Sequence, residues 1–494
     1  NNGGSKPLNK KHQISNLIYD FFVMRFQFRH YRYGVTLPSI DSICREFNVS
    51  QQTVKAAFRQ LREDGFIDMH NGRPTRVIFQ QTEQAFHESV QSFYSKRTAA
   101  FPDLFETSAL ILIPALMEGL RRTSQQDLIQ LKSFLSRADT DDALYFFCYI
   151  LQKLENPLII NLHWEISFYT GLIFFDRNID ENIYSRKLVE KGIGAIIDCT
   201  MNRDWDGLRS TLFAFQKNTT ERAISYITRN ITPAAGQIPF IWRIYYGRPQ
   251  ICYSLSLRLL HEIYLGKYRE TPYLPSYEKM AREYQVSVST MRRTIDVLSR
   301  FRAVESVNGI GTRVCPASTE TPDFSTPAVR RNLALFFQVF ELIILSCEEA
   351  ACATFLRLTP DEKSSLLCRL EENLRSGRCA FSLWHILLCI AMYCPIKGCR
   401  HIYSKIYGLF LWGYPLRTSH KETAWLEKAD EEFTKAIAEC IGQNRFRECS
   451  LIVREMTIRL FHRAENYLLS HGIQEDELRL SPAIRMMIPG ESGT

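Results

Sequence analysis

The chain is poor in the features that most enzyme and membrane classes require. Glycine supplies only 23 of 494 residues, and there is no Gly-rich phosphate loop, no nucleophile elbow and no lysine placed for a cofactor in an α/β context. An enzyme is therefore not expected. Apolar runs such as ALILIPALM from Ala109 are too short to cross a bilayer, and Lys6, Lys10 and Lys11 are not followed by an apolar signal core. These absences lead to the expectation of a cytoplasmic protein with no membrane contact.

Cysteine is plentiful, but paired secretory spacing is missing from the fourteen residues. Several lie in apolar helical stretches, as in Phe147-Cys148 and Leu388-Cys389, which suggests reduced thiols in a core and no structural disulfides. Cys389, Cys394 and Cys399 follow one another at five-residue intervals. That is not metal-hook spacing, so core packing is the expectation and a cysteine-based redox sensor the alternative.

What is present fits a multidomain globular protein, with 45% apolar and 23% charged residues and length for three or four domains. The net charge of +8 is uneven: residues 1–80 carry +6, residues 248–318 carry +5, and the rest sums to −3. Positive charge on two short segments suits contact with phosphates.

Those two segments also repeat one another. Leu37–Val77 and Leu274–Val314 align end to end without a gap, with fourteen identities. In the first copy, Ile14, Leu17, Ile18, Phe21 and Phe22 predict an amphipathic helix; Ile251, Leu255, Leu259 and Ile263 do so in the second. Pro38 and Ser39 open a second helix with Ile40, Ile43 and Phe47 inward, as do Ser276, Tyr277, Met280 and Tyr284 in the repeat. Asn48-Val49-Ser50 then turns the chain into a third helix, as Gln285-Val286-Ser287 does later. Val54, Phe58 and Leu61 face inward there, leaving Gln51, Gln52, Thr53, Lys55 and Arg59 outward, as a major groove would require. Strands over 65–69 and 75–78, joined around Asn71-Gly72-Arg73-Pro74, predict a wing; the repeat has Asn308-Gly309-Ile310-Gly311.

In the Leu-Pro-Ser start, the Arg-acidic pair of the second helix, the Val-Ser-x-x-Thr third helix and the Gly-containing wing, both units resemble the winged helix-turn-helix domain of GntR-type bacterial transcription regulators. The resemblance implies DNA contact by Arg45, Gln51, Gln52, Thr53, Lys55 and Gly72, and in the repeat by Arg282, Val288, Ser289, Thr290, Arg292 and Gly309; Arg59, Arg73 and Arg293, cations of the same units, are expected to join them. The family usually has arginine after the Val-Ser pair, whereas Gln51 and Val288 stand here; Arg302 replaces Gly65 and Asp296 replaces Arg59. Glutamine can pair with adenine and valine can only touch a thymine methyl, so unlike half-sites are expected.

Residues 82–245 carry helical periodicity for five to seven helices, including 103–122, 124–137, 141–154 and 158–175, and residues 323–485 show a similar order. Asn156-Pro157-Leu158 corresponds to Cys394-Pro395-Ile396, and Ala223 and Tyr226 to Ala464 and Tyr467. The expected fold is mainly α: winged helix (1–80), bundle (81–247), winged helix (248–318), bundle (319–494). All-helical partners resemble the FadR/FCD subgroup, many members of which bind a metal through three histidines and an aspartate. The first bundle offers only His87 and His163, so no metal or other cofactor is expected, and the pair His163/His401 reads as polar core or ligand contact. The aromatic groups Tyr145-Phe146-Phe147 and Phe174-Phe175 read as core. Expected partners are double-stranded DNA, a small effector held between bundle helices and a second copy of the chain. The function expected is a sequence-specific regulator acting as an intramolecular pseudo-dimer; the alternative is a protein-interaction scaffold with vestigial winged helices.

Overall fold

The structure, a computed structural model, describes residues 14–47, 49–70, 72–135, 141–171, 186–244, 251–264, 266–268, 270–315, 323–413 and 423–474. The chain opens with helices α1 (Ile14–Gln27), α2 (Ile40–Phe47) and α3 (Gln51–Glu63), then a hairpin of β1 (Ile67–Asp68) and β2 (Arg76–Val77). Sequence chemistry sets the helix starts: Ser39 Oγ accepts from Ser42 N at 3.1 Å and Ser50 Oγ from Thr53 N at 3.3 Å. Ile18, Phe22, Ile43, Val54, Phe58, Leu61, Ile67 and Val77 form the core between these elements. Phe22 meets Phe58 edge to face at 5.3 Å. The strands are shorter than the sequence suggests. Ile78 N and Phe79 N both donate to Phe66 O, at 3.0 and 3.1 Å, which ends the ladder after two pairs. Asn48, Asn71 and the side chains of Ile14, Leu17 and Phe47 lie outside the described residues.

The same order of elements recurs as α11 (Ile251–Tyr264), α12 (Tyr277–Glu283), α13 (Val288–Arg300), β3 (Val304–Val307) and β4 (Gly311–Val314). Corresponding positions do corresponding work. Ile67 pairs with Val77 as Val304 pairs with Val314, and the isolated bridge Thr36–Arg76 matches Tyr273–Arg313. Ser276 and Ser287 cap their helices as Ser39 and Ser50 do. Arg302 takes φ +59° where Gly65 takes +78°, so the repeat holds a side chain in the left-handed region that glycine occupies without cost.

Between and after these units the described residues are mainly helical, apart from an extended stretch over 231–244. The first bundle comprises α4 (Glu83–Ser95), α5 (Phe101–Arg122), α6 (Gln125–Leu135), α7 (Asp141–Gln152), α8 (Pro157–Thr170), α9 (Arg186–Met201) and α10 (Trp205–Asn230); the second comprises α14 (Pro327–Phe355), α15 (Pro360–Arg375), α16 (Ser382–Tyr393), α17 (Lys397–Phe410), α18 (Thr423–Gly442) and α19 (Phe446–Ser470). α8 ends at Thr170 rather than near 175 because Gly171 turns left-handed, at φ +61°, and its N–H closes on Ser167 O. Phe174 and Phe175 lie outside the described residues. The Ala109 run proves to be part of a longer helical stretch, Thr98–Arg122, that is long and apolar enough to cross a bilayer by length and composition. In this fold it is a central core helix, with Ile111, Leu112, Ala115 and Leu120 buried.

α5 packs along α14, which joins the two halves of the molecule. Asp103 of α5 accepts from Lys397 N and Gly398 N at 2.6 Å each, capping α17 across the junction. In the other direction, Asn156 caps α8 through Leu158 N and Ile159 N while its Nδ2 donates to Gln338 O (2.8 Å) and Glu341 Oε2 (2.9 Å) of α14. The register that sets Pro157 against Pro395 also sets Asp103 against Glu341. Equivalent positions thus reach across to equivalent helix starts.

Candidate nucleic-acid interface

On α3 the side chains of Gln51, Gln52, Lys55 and Arg59 are exposed on one face, opposite buried Val54, Ala57, Phe58 and Leu61. Arg45, in the last turn of α2, and Gly72 and Arg73, on the wing, are exposed as well. Gly72 needs its φ of +76° for the wing to turn. Thr53 differs from the rest: it is half-buried, and its Oγ1 lies 3.0 Å from the capping Ser50 Oγ. Its hydroxyl is thereby committed to the helix start.

The structure adds a residue that sequence reading missed. Asp41 Oδ1 accepts from Gln51 Nε2 at 2.7 Å, and Gln51 Oε1 in turn lies 3.4 Å from Lys55 Nζ. The amide of Gln51 is held at both ends, which orients Lys55 as well. An acidic residue on a neighbouring helix gives no periodic signal, so nothing in the chain marked this contact.

A protein-family profile described as "Bacterial regulatory proteins, gntR family" matches residues 18–77. Residues 18–77 form a GntR-family helix-turn-helix domain. The fatty acid metabolism regulator protein of Pasteurella multocida (strain Pm70) is 23% identical over 181 residues, covering 34% of this chain and 75% of the relative. Among solved structures, Streptococcus agalactiae GntR is 19% identical, spanning 42% of this chain and 99% of its own with a TM-score of 0.20. E. coli McbR/YncC is 12% identical over 43% of this chain and 99% of its own, with a TM-score of 0.23.

The GntR-family domain rests on α8, where Phe21 meets Trp164 at 6.0 Å and Phe168 at 5.9 Å. Glu165, one residue along, is buried beside Arg243, whose Nε is 3.8 Å from its carboxylate. Burial pushes the Glu165 carboxyl up to about 7, with Arg243 opposing and Asp20 of α1 adding to the rise.

In the repeat, Ser289, Arg292 and Arg293 are exposed on α13, as are Arg282 and Gly309 on neighbouring elements. Val288 is half-buried at the start of α13. Thr290 is tied to Ser287, with hydroxyls 2.8 Å apart. Asp296, at the position of Arg59, pairs with Arg300 Nε at 2.9 Å, and Arg313 pairs with Glu305. The outward face of α13 therefore carries less unpaired positive charge at its far end than that of α3.

Inside the first bundle a cavity of about 630 Å³ lies between α5, α7, α8, α9 and α10, lined mainly by Leu104, Leu112, Phe147, Ile166, Leu212 and Phe215. His163 is on its wall, whereas His401 is engaged elsewhere, its Nε2 accepting from Trp242 N at 3.0 Å. Cys389, Cys394 and Cys399 are buried in the second bundle.

Proposed function

We propose that the chain is a sequence-specific DNA-binding transcription regulator that acts as an intramolecular pseudo-dimer. The GntR-family domain at 18–77 supplies the first reading head. Residues 248–318 supply a second winged helix-turn-helix, and the helical domains at 81–247 and 319–494 join the two and sense an effector. The observation that carries this reading is that corresponding positions of the two halves reach across the junction to the starts of corresponding helices: Asp103 caps α17, and Glu341 accepts from Asn156, the residue that caps α8. Isologous contact of this kind is what two copies of a symmetric dimer make, here within one chain. The matching strand register of the two hairpins supports it.

The DNA-facing groups are Arg45, Gln51, Gln52, Lys55, Arg59, Gly72 and Arg73 in the first head, with Thr53 supporting the helix start. In the second they are Arg282, Ser289, Arg292, Arg293 and Gly309, with Thr290 in the supporting role. Val288 against Gln51 and Asp296 against Arg59 make the two half-sites unlike. A relative that is by name a regulator of fatty acid metabolism supports a regulator with a small-molecule signal, rather than an enzyme, working in the cytoplasm. The cavity between α5 and α10 is the place for that signal.

Footprinting of the purified chain on genomic DNA tests the reading. One protein per duplex over two unequal half-sites is expected. Arg45→Ala with Lys55→Ala weakens binding and lowers the salt slope by about one unit for each phosphate no longer neutralised. Unchanged affinity and slope would remove these residues from the interface, and an absence of any salt-dependent DNA binding would favour a protein scaffold.

A further inference from the structure

Among the described large apolar side chains, the one most open to water is Ile310, 67% exposed at the tip of the β3–β4 hairpin. Its neighbours on both sides are glycines, Gly309 at φ +75° and Gly311 at φ +143°. A Cβ at 309 would meet nothing within 4 Å, and one at 311 would meet only Tyr273, at 4.0 Å. Packing therefore does not demand glycine there; the turn does. The result is a tip one side chain wide, closed by Ile310 N donating to Val307 O at 3.1 Å.

The hairpin beneath that tip is braced. β3 and β4 pair at four positions, from Val304–Val314 to Val307–Gly311, and Arg313 forms an ion pair with Glu305 across them. β4 is held along its other edge too, where Leu274 N donates to Thr312 O at 2.8 Å and Val314 N to Pro272 O at 2.6 Å. The base of the unit is tied to the second bundle. Phe301, just past α13, lies 4.6 Å from Trp412, both fully buried, and Arg300 Nη1 donates to Thr326 Oγ1 at 3.0 Å. A push on the tip is thus resisted by the fold.

The hairpin of the first head is built otherwise. Its strands pair at two positions only, Pro74 stands where Gly311 does and has no N–H to give to a ladder, and exposed Arg73 stands where Ile310 does. A cationic tip suits phosphates and the negative potential of a groove. An isolated isoleucine suits neither, and gains only by leaving water. Exposed Arg282, Arg292 and Arg293, with the +5 charge of residues 248–318, indicate a polyanion as the surface it meets. On a duplex, the apolar surface that could cover such a tip is the flat faces of the bases, which stacking hides until a step opens.

We propose that Ile310 is a wedge: the second head seats the β3–β4 tip in the minor groove, where Ile310 enters a base step, partly unstacks it and bends the duplex. A groove about 6 Å wide admits a tip of one side chain, and apolar wedges of this kind kink DNA. The step is a pyrimidine–purine one, because those unstack most readily. The second head then reads deformability, where the first reads base edges through Gln51. This suits a head that has Val288 and Asp296 in place of Gln51 and Arg59. The inference rests on the regulator reading above, and in particular on its second head.

The full chain on the duplex recovered by footprinting tests the wedge, with dyes at the duplex ends and 2-aminopurine placed in turn at each purine of the second half-site, the one still protected by the chain carrying Arg45→Ala and Lys55→Ala. One pyrimidine–purine step brightens on binding, and the ends approach. Ile310→Ala abolishes both and binds about tenfold more weakly; Ile310→Leu retains both. Replacing that step by an adenine tract weakens the parent chain about as much and Ile310→Ala hardly at all. Retained protection of the first half-site shows that the variants are folded. Both half-sites protected without brightening, or equal losses for Ile310→Ala on the two duplexes, would remove the wedge and leave the regulator reading. Protection of the first half-site alone would remove the second head and the wedge with it, and no salt-dependent duplex binding would remove the whole reading. An Ile310→Ala chain that binds like the parent but no longer forms a dimer seen by sedimentation would overturn the wedge and assign the tip to a second copy.

Discussion

Gln51 shows how one side chain sets the character of the reading head. Its amide is stretched between Asp41 and Lys55, so the head is held in place before DNA arrives, and binding does not have to fix those rotamers. Asp41 also puts a negative charge beside the groups proposed to face phosphate, which would oppose indiscriminate binding. Asp41→Ala removes both effects. Affinity for random duplex is expected to rise while affinity for the specific site rises less or falls, so the specificity ratio drops; competition titrations at two salt concentrations read it. A ratio that stays constant would leave Asp41 as a bystander. At this scale the sequence was informative about which residues face outward, since helical spacing decides that. It was silent on Asp41 with Gln51, because pairing between helices depends on where they cross and on which rotamers meet, whereas Asp296 with Arg300 is an i, i+4 pair within α13 that helical spacing allows. Thr53 and Thr290 fall between: their outward spacing was legible, but their hydroxyls serve the caps.

Helix boundaries were legible where a local signal sets them. Ser39, Ser50, Ser276 and Ser287 all cap as their positions imply. The start of α17 has no such signal: Ile396 is its cap residue and makes no side-chain hydrogen bond. Its free N–H groups are met from another helix, by Asp103, and a sequence reading confined to neighbours cannot find that. Close approach makes the contact possible. A Cβ on Gly398 would lie 2.4 Å from Thr107 Oγ1 and 3.0 Å from Asp103 Oδ2, so only glycine lets α5 come this near. Gly398→Ala is expected to destabilise the chain by about 1–3 kcal/mol, the usual cost of overpacking, as measured by urea unfolding. Adding Thr107→Ala removes the nearest atom and recovers part of the stability, giving a coupling energy of about 0.5 kcal/mol or more. Additive effects would show that α5 and α17 do not touch there.

Across the whole molecule, the recurrence of one order of elements could be read from Leu37–Val77 against Leu274–Val314 because corresponding residues do corresponding jobs. The junction of the halves was not legible, since α5 and α14 meet through apolar faces that look like any core helix, and the cavity depends on which large side chains happen to be missing. Glu165 lies where these levels meet, on α8 beneath the GntR-family domain and beside Arg243. Burial raises its carboxyl from 4.5 to about 7, opposed by Arg243 and reinforced by Asp20. The folded state therefore holds this proton more tightly than the unfolded state does. Between about pH 4.5 and 7 the unfolded chain has released the proton and the folded chain has not, so this group's contribution to stability falls as pH rises through that window and levels off above it. Glu165→Gln keeps the shape and has no charge to bury. Unfolding free energies of the two proteins should converge near pH 5 and diverge in favour of the variant by pH 8. Because Phe21 seats on Trp164 and Phe168 on either side of this carboxylate, the variant should also hold the reading head more firmly on its bundle at high pH, seen as slower amide exchange in α1. Parallel pH profiles for the two proteins would mean that Glu165 is solvated, and that the seat of the DNA-binding domain is not pH-dependent through this group.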